Sequence, residues 1–171
     1  MKVFCDLDGG LFYKGLIDKL EENQVFVFGS NEQGFHGAGS AGFASFGVPG
    51  NMWRKFDYAN KPNGWKGKWN VKGCASGFQT GTEGMSYALL TCKSPGDKKS
   101  YSGNRIRGSI YELYKFALTR MDYQFLIAYT IKLNLNGYSP KEMATFFWLD
   151  CIPSNIVFEE TFRSLVYVHG R

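Results

Sequence analysis

Residues 25–43, VFVFGSNEQGFHGAGSAGF, pass from an apolar run into an asparagine and then into a glycine-rich stretch with one of the chain's two histidines. Glycines at Gly34, Gly37 and Gly39 let backbone N–H groups approach an anion, and a helix beginning near Gly39 would add the favourable field of its N-terminus. Asn31, at the end of the apolar run, can donate to and accept from a sugar hydroxyl pair. The spacing is neither the G-x-G-x-x-G dinucleotide pattern nor a P-loop, whose Lys-Ser/Thr pair is missing. The segment is therefore either a ligand-holding loop or a tight strand-to-helix turn. His36 within it either transfers protons near neutral pH or hydrogen-bonds the loop backbone.

Two other stretches carry chemistry-bearing residues. KVFCDLDGGLF, residues 2–12, ends a short apolar run in a D-x-D-G-G turn with Asp6 and Asp8. Residues 47–84 are broken repeatedly by Gly, Pro and Asn, and in them Trp53, Trp65 and Trp69 alternate with Arg54, Lys55, Lys66 and Lys68. Aromatic faces beside cations suit stacking on single-stranded nucleic acid. They equally suit anchoring a long insertion, or a lid, onto the body of a domain.

The elements that must position these residues alternate. Apolar runs of strand length occur at Lys2 to Cys5, Gln24 to Phe28, Ser86 to Thr91, Gln124 to Thr130 and Asn155 to Phe158. Several are continuous, as in strands buried on both faces. Ile106, Ile110, Leu113, Tyr114 and Ala117 recur at helical spacing between Arg105 and Arg120. Ser139 followed by Pro140 is a helix start, with Met143, Phe146, Phe147 and Leu149 on one stripe. Strand and helix in alternation predict a single α/β domain over residues 1–171, a three-layer α/β/α sandwich with a mixed sheet and an aromatic, basic insertion at about residues 48–80.

A chain of 171 residues with 15 Phe, 10 Tyr and 4 Trp can bury a substantial core, which excludes low-complexity disorder. Cys5, Cys74, Cys92 and Cys151 have no paired spacing, so neither a zinc site nor a disulfide framework is expected, and no cofactor is implied. The net charge of +5 is concentrated in residues 54–72 and in Lys93, Lys98, Lys99, Arg105 and Arg107, which suits an anionic partner. No apolar run is long enough to cross a bilayer and no signal peptide is recognisable. The expected location is the cytoplasm, with no membrane partner.

VFVFGSNEQGFHGAGSAG resembles the strand, asparagine and glycine loop of macrodomains, which bind ADP-ribose and related nucleotides. It is most similar to a macrodomain-like branch common in bacteria and their phages, with the pattern FGSN-x-x-G-x-H-G-x-G-x-A. GTEGMSYALLT (81–91), FLIAYTIKLNLNGYSPKEMATFF (125–147) and SNIVFEETF (154–162) resemble that branch's later strand, second phosphate loop with its helix, and last strand, in order. The resemblance implies an α/β/α macrodomain-like fold and an ADP-ribose-like small molecule or ADP-ribosylated macromolecule as partner, in a bacterial cell or phage-infected host. It assigns Asn31 to the distal ribose, with Gly29 and Ser30 before it also ligand-binding, and Gly37, Ala38, Gly39 and Ser40 to the loop around the diphosphate and distal ribose. Asn134, Leu135, Asn136, Gly137 and Tyr138 match the second phosphate loop, which keeps Gly137 and Tyr138 but lacks two of the family's glycines. Leu16 stands where many macrodomains carry an adenine-recognising aspartate, with Asp18 close by. If the chain hydrolyses ADP-ribosyl groups, Asn31 as positioning group and His36 as general base are the matching candidates.

Two other readings compete. KVFCDLDGGLF is similar to the nucleophile strand of haloacid-dehalogenase-like phosphatases, which would make Asp6 the nucleophile and Asp8 the acid/base. Gly10, however, replaces the usual threonine and no later acidic G-D-x-x-x-D motif follows. The third reading is a non-catalytic phage or bacterial structural or nucleic-acid-binding module that uses the tryptophan- and lysine-rich insertion. His169 reads as a surface residue of the C-terminal tail.

Overall fold

Strand β3 (Gln24–Asn31) is buried almost throughout, as its continuous apolar sequence requires, because it lies inside a seven-stranded sheet. The computed structural model describes residues 1–36, 39–46, 75–130 and 134–168. In chain order the elements are β1 (Val3–Cys5), β2 (Leu11–Tyr13), β3, α1 (Gly39–Phe46), β4 (Gly77–Thr80), β5 (Met85–Cys92), α2 (Gly103–Thr119), β6 (Gln124–Ile127), α3 (Pro140–Phe147), β7 (Ile156–Glu159) and α4 (Glu160–Val168). The sheet order is β1-β2-β7-β6-β3-β5-β4. The five inner strands are parallel, and an antiparallel strand closes each edge.

Alternate side chains of the parallel strands feed two apolar layers. Val25, Val27, Phe125, Ile127, Ile156 and Phe158 face α2, α3 and α4. Phe26, Phe28, Leu126 and Val157 face the other way, onto Ala44 of α1 and onto Ile17 and Leu20 of the β2–β3 connection. The chain is thus an α/β fold with a mixed sheet covered on both faces. Among the described residues no helix is long and apolar enough to cross a membrane.

Local signals explain the helix ends. Ser139 accepts from the Glu142 amide at 3.2 Å while the Glu142 carboxylate accepts from the Ser139 amide at 2.7 Å, a complete capping box with Pro140 in the first turn. Ser139→Ala is expected to lower stability by about 1 kcal/mol, read from urea unfolding; no change would mean that water replaces the cap. Helix α2 buries Ile106, Ile110, Leu113, Tyr114 and Ala117, the stripe its spacing predicts. At its far end the Asn155 amide donates to the carbonyls of Ala117, Arg120 and Tyr123 at 2.9–3.1 Å.

Several boundaries differ from the sequence expectation. Strand β3 does not stop with the apolar run at Phe28 but continues to Asn31, because β5 keeps a parallel partner alongside it across a bulge between Ser30 and Asn31. Strand β6 stops at Ile127 rather than Thr130. Its last ladder bond runs from the Ala128 amide to the Val27 carbonyl, after which Tyr129 turns into the core. The segment SNIVFEETF is not all strand. Glu159 is buried, and its carboxylate accepts from the amides of Thr161 and Phe162 at 2.9 and 3.1 Å, capping α4 where β7 ends. The short strands β2 and β4 were not expected from the sequence.

Candidate functional site

The connections leaving β3 and β6 depart from the same end of adjacent parallel strands, and they lead to opposite faces of the sheet. β3 leads to α1 on one face, β6 to α3 on the other. In open α/β sheets such a switch in direction opens a crevice beyond the carboxyl ends of the strands. The two glycine-bearing segments of the sequence follow these two strand ends. They meet where Leu135, 59% exposed, lies against the start of α1: a Cβ built on Gly39 would stand 3.1 Å from the Leu135 Cδ1. Gly39 has φ +57°, a conformation that glycine adopts without the strain of a side chain.

The first loop is held by its own polar residues. Asn31 is buried, donates from Nδ2 to the Phe35 carbonyl at 2.8 Å and accepts on Oδ1 from the Phe35 amide at 3.2 Å; the Gly34 amide donates to its carbonyl. One N–H of the Asn31 amide thus fixes the turn, and the second is left for another acceptor. His36 is 1% exposed, 2.9 Å through Nε2 from the Ser30 hydroxyl, and edge-on to the Phe28 ring at 5.0 Å. Burial lowers its pKa to about 4, so it is a neutral imidazole at neutral pH. The Nε2 bond is to a side chain, the Ser30 hydroxyl, rather than to the loop backbone. Gly29 lies under the Tyr129 hydroxyl, and Ser40 is in the first turn of α1. Gly37 and Ala38 lie outside the described residues, as do Trp53, Trp65, Trp69, most of the predicted insertion and His169.

The second loop is equally self-braced. Asn134 donates to the Tyr138 carbonyl at 3.2 Å and accepts on its own carbonyl from the Gly137 amide. Asn136 is buried, accepting from the Tyr138 amide at 3.1 Å and donating towards the Met143 sulfur at 3.4 Å. Gly137 has φ +83°, and a Cβ there would stand 2.7 Å from that of Lys98. Asn134 and Asn136 hold this turn with their side chains.

A cluster that sequence reasoning did not find borders both loops. Glu32, next to Asn31, accepts from the Tyr101 hydroxyl and from Arg105 Nη2 at 3.0 Å, while the Arg105 guanidinium lies 4.0 Å from the centre of the Tyr101 ring. Lys99 Nζ is 2.7 Å from Glu142 and, with the Ser139 cap, holds that carboxyl down to about 2. In the sequence Lys99 and Arg105 stood out only as part of a basic run, and Glu32, Tyr101 and Glu142 carried no signal.

Asp6 and Asp8 are remote from the crevice. Cys5 pairs with Leu11 at the start of β2, so the D-x-D-G-G turn lies at the opposite, amino end of the parallel strands. Asp6 Oδ1 accepts from the amides of Gly10 and Asp8 at 2.7 and 3.1 Å, and Oδ2 is ion-paired with Arg163. The Gly10 amide contributes most to holding this carboxyl below its usual pKa, and Arg163 adds to the effect. Asp8 is exposed. Both oxygens of Asp6 are occupied in closing a hairpin turn on an edge strand, which is the geometry of a structural turn rather than of a nucleophile at a parallel strand's carboxyl end. Among the described residues no group of three or more His, Cys, Asp or Glu side chains could hold a metal ion.

No protein-family model, no curated protein and no solved structure matches the chain.

Proposed function

We propose that the chain is a macrodomain-like module that binds ADP-ribose, or a related nucleotide-ribose ligand, across the loops that follow β3 and β6. The observation that carries this reading is the convergence of two segments far apart in sequence. Each was singled out by its resemblance to a ligand loop, and they meet at Gly39 and Leu135 over the carboxyl ends of neighbouring parallel strands. A diphosphate would lie against the N-terminus of α1 and the amides of the glycine loop, where partial positive charge favours it. The remaining N–H of Asn31 is the donor for a ribose oxygen. Binding rather than turnover is the better-supported half of the reading. His36 is 1% exposed and neutral, and its Nε2 lies against the Ser30 hydroxyl.

Isothermal titration with ADP-ribose tests the proposal. Wild type is expected to bind, and Asn31→Ala to weaken binding by about tenfold or more, since it removes both hydrogen bonds that hold Phe35 and the donor to the ligand. Equal affinity in Asn31→Ala would sink the assignment of this residue. Silence from ADP-ribose with a thermal shift from AMP, NAD or a short oligonucleotide would move the ligand class. Silence throughout would favour a scaffold that has kept the fold without the ligand.

A further inference from the structure

The β5–α2 connection, residues 93–102, touches both ligand loops by main chain and by side chain. Towards the first loop, the Lys93 carbonyl accepts from the Glu32 amide at 3.1 Å, and the Tyr101 hydroxyl donates to the Glu32 carboxylate. Towards the second, the Lys99 amide donates to the Asn136 carbonyl at 2.7 Å, and the Tyr101 carbonyl accepts from the Tyr138 hydroxyl at 2.7 Å. Tyr101 therefore holds one loop with its side chain and the other with its main chain. It is 1% exposed, and the Arg105 guanidinium, 3.0 Å from both its hydroxyl and Glu32, closes a three-membered polar cluster over it. Lys99 is the one non-glycine with positive φ among the described residues, at +51°, a conformation that surrounding contacts must maintain. Its amide bond to Asn136 and its ammonium bond to Glu142 supply those contacts.

We infer that the β5–α2 connection is a brace that sets the spacing of the two ligand loops, with Tyr101 as the positioning residue that joins them. The functional half of this inference rests on the ligand reading above; the mechanical half does not. Tyr101 touches no ligand in this scheme. It fixes Glu32, and through Glu32 the Asn31 turn, by a charge-assisted hydrogen bond that phenylalanine cannot make. Removing the hydroxyl leaves the ring packing and the main-chain bond to Tyr138 intact. The two loops should consequently loosen separately, each when its own tether is cut.

Amide hydrogen exchange on the unliganded full chain reads this directly. Tyr101→Phe is expected to speed exchange at the Gly34 and Phe35 amides by about tenfold relative to wild type, while the Gly137 amide and the β3 amides of Val25 to Phe28 keep their rates. Tyr138→Phe is expected to do the reverse, loosening Gly137 and sparing Gly34 and Phe35. Glu32→Gln, which keeps an acceptor for Tyr101 but removes the charge, should speed exchange at Gly34 and Phe35 by less than Tyr101→Phe does. In ADP-ribose titrations Tyr101→Phe should weaken binding about fivefold to tenfold. Unchanged exchange at Gly34 and Phe35 in Tyr101→Phe, or acceleration spread evenly over β3, would overturn the brace. A wild type that fails to bind ADP-ribose would instead overturn the ligand reading, and the exchange rates would still decide whether the loops are tethered through Tyr101.

Discussion

Gly29→Ala is expected to destabilise the fold by about 2–4 kcal/mol, although it adds a single methyl group to a strand. The new Cβ would stand 2.6 Å from the Tyr129 hydroxyl oxygen and 3.3 Å from the Thr91 hydroxyl. Tyr129 has no room to retreat, since its ring packs against Phe147 at 5.6 Å and Phe162 at 6.0 Å. Burial raises the pKa of its hydroxyl, so displacement would disturb a buried polar group as well as force a clash. The control is Tyr129→Phe, which deletes the offending oxygen and leaves the ring carbon at 3.5 Å, an ordinary contact. Urea unfolding of the two single variants and the double variant forms a cycle. Gly29→Ala should be tolerated far better in the Tyr129→Phe background. An additive cycle, or a Gly29→Ala within about 0.5 kcal/mol of wild type, would show that β3 can shift to make room.

Stability is also expected to fall in mild acid because of His36. Its ordinary pKa of 6.5 is lowered to about 4 in the folded chain by burial. The unfolded chain therefore takes up a proton at His36 first as the pH drops. The neutral-histidine contribution is fully present above about pH 6.5 and is lost progressively as the pH falls towards 4. At roughly 1.4 kcal/mol per pH unit this gap is worth about 3 kcal/mol. Unfolding free energy measured from pH 7.5 to pH 4 should slope downward in wild type. It should be flatter over the same range in His36→Gln, whatever that variant's absolute stability. Parallel slopes in the two proteins would mean that His36 is accessible enough to ionise in place.

The strongest elements were legible because each had a mechanism of its own. β3, β5 and β6 declared themselves as continuous apolar runs, α2 by its buried stripe, and α3 by Ser139 and Pro140. Strand β2 hid inside KVFCDLDGGLF because three residues are too few for a periodic signal, and the hairpin depends on Asp6 folding back onto Gly10. Helix α4 hid behind an apolar run because its cap is Glu159, a residue type that rarely caps helices. In the candidate site, the first loop stood out by its asparagine and glycines and the second by its resemblance alone. The contacts joining them were not legible, since Glu32, Lys99, Tyr101 and Tyr138 are brought together only by the order of the strands. That His36 is buried could not be read from its residue type.

The strand order also governs how the chain must fold. Gln24 at the head of β3 pairs with Gln124 of β6, a hundred residues later, and Phe12 of β2 waits for Phe158 of β7. Closing such long loops carries an entropic cost that local contacts do not, so sheet assembly should be slow for a chain of this length. During synthesis the apolar β3 can pair early with β5 only, leaving its other edge bare until β6 has left the ribosome. A chain halted between Cys92 and Gln124 would carry that unpaired edge permanently, as a template for association with its own kind.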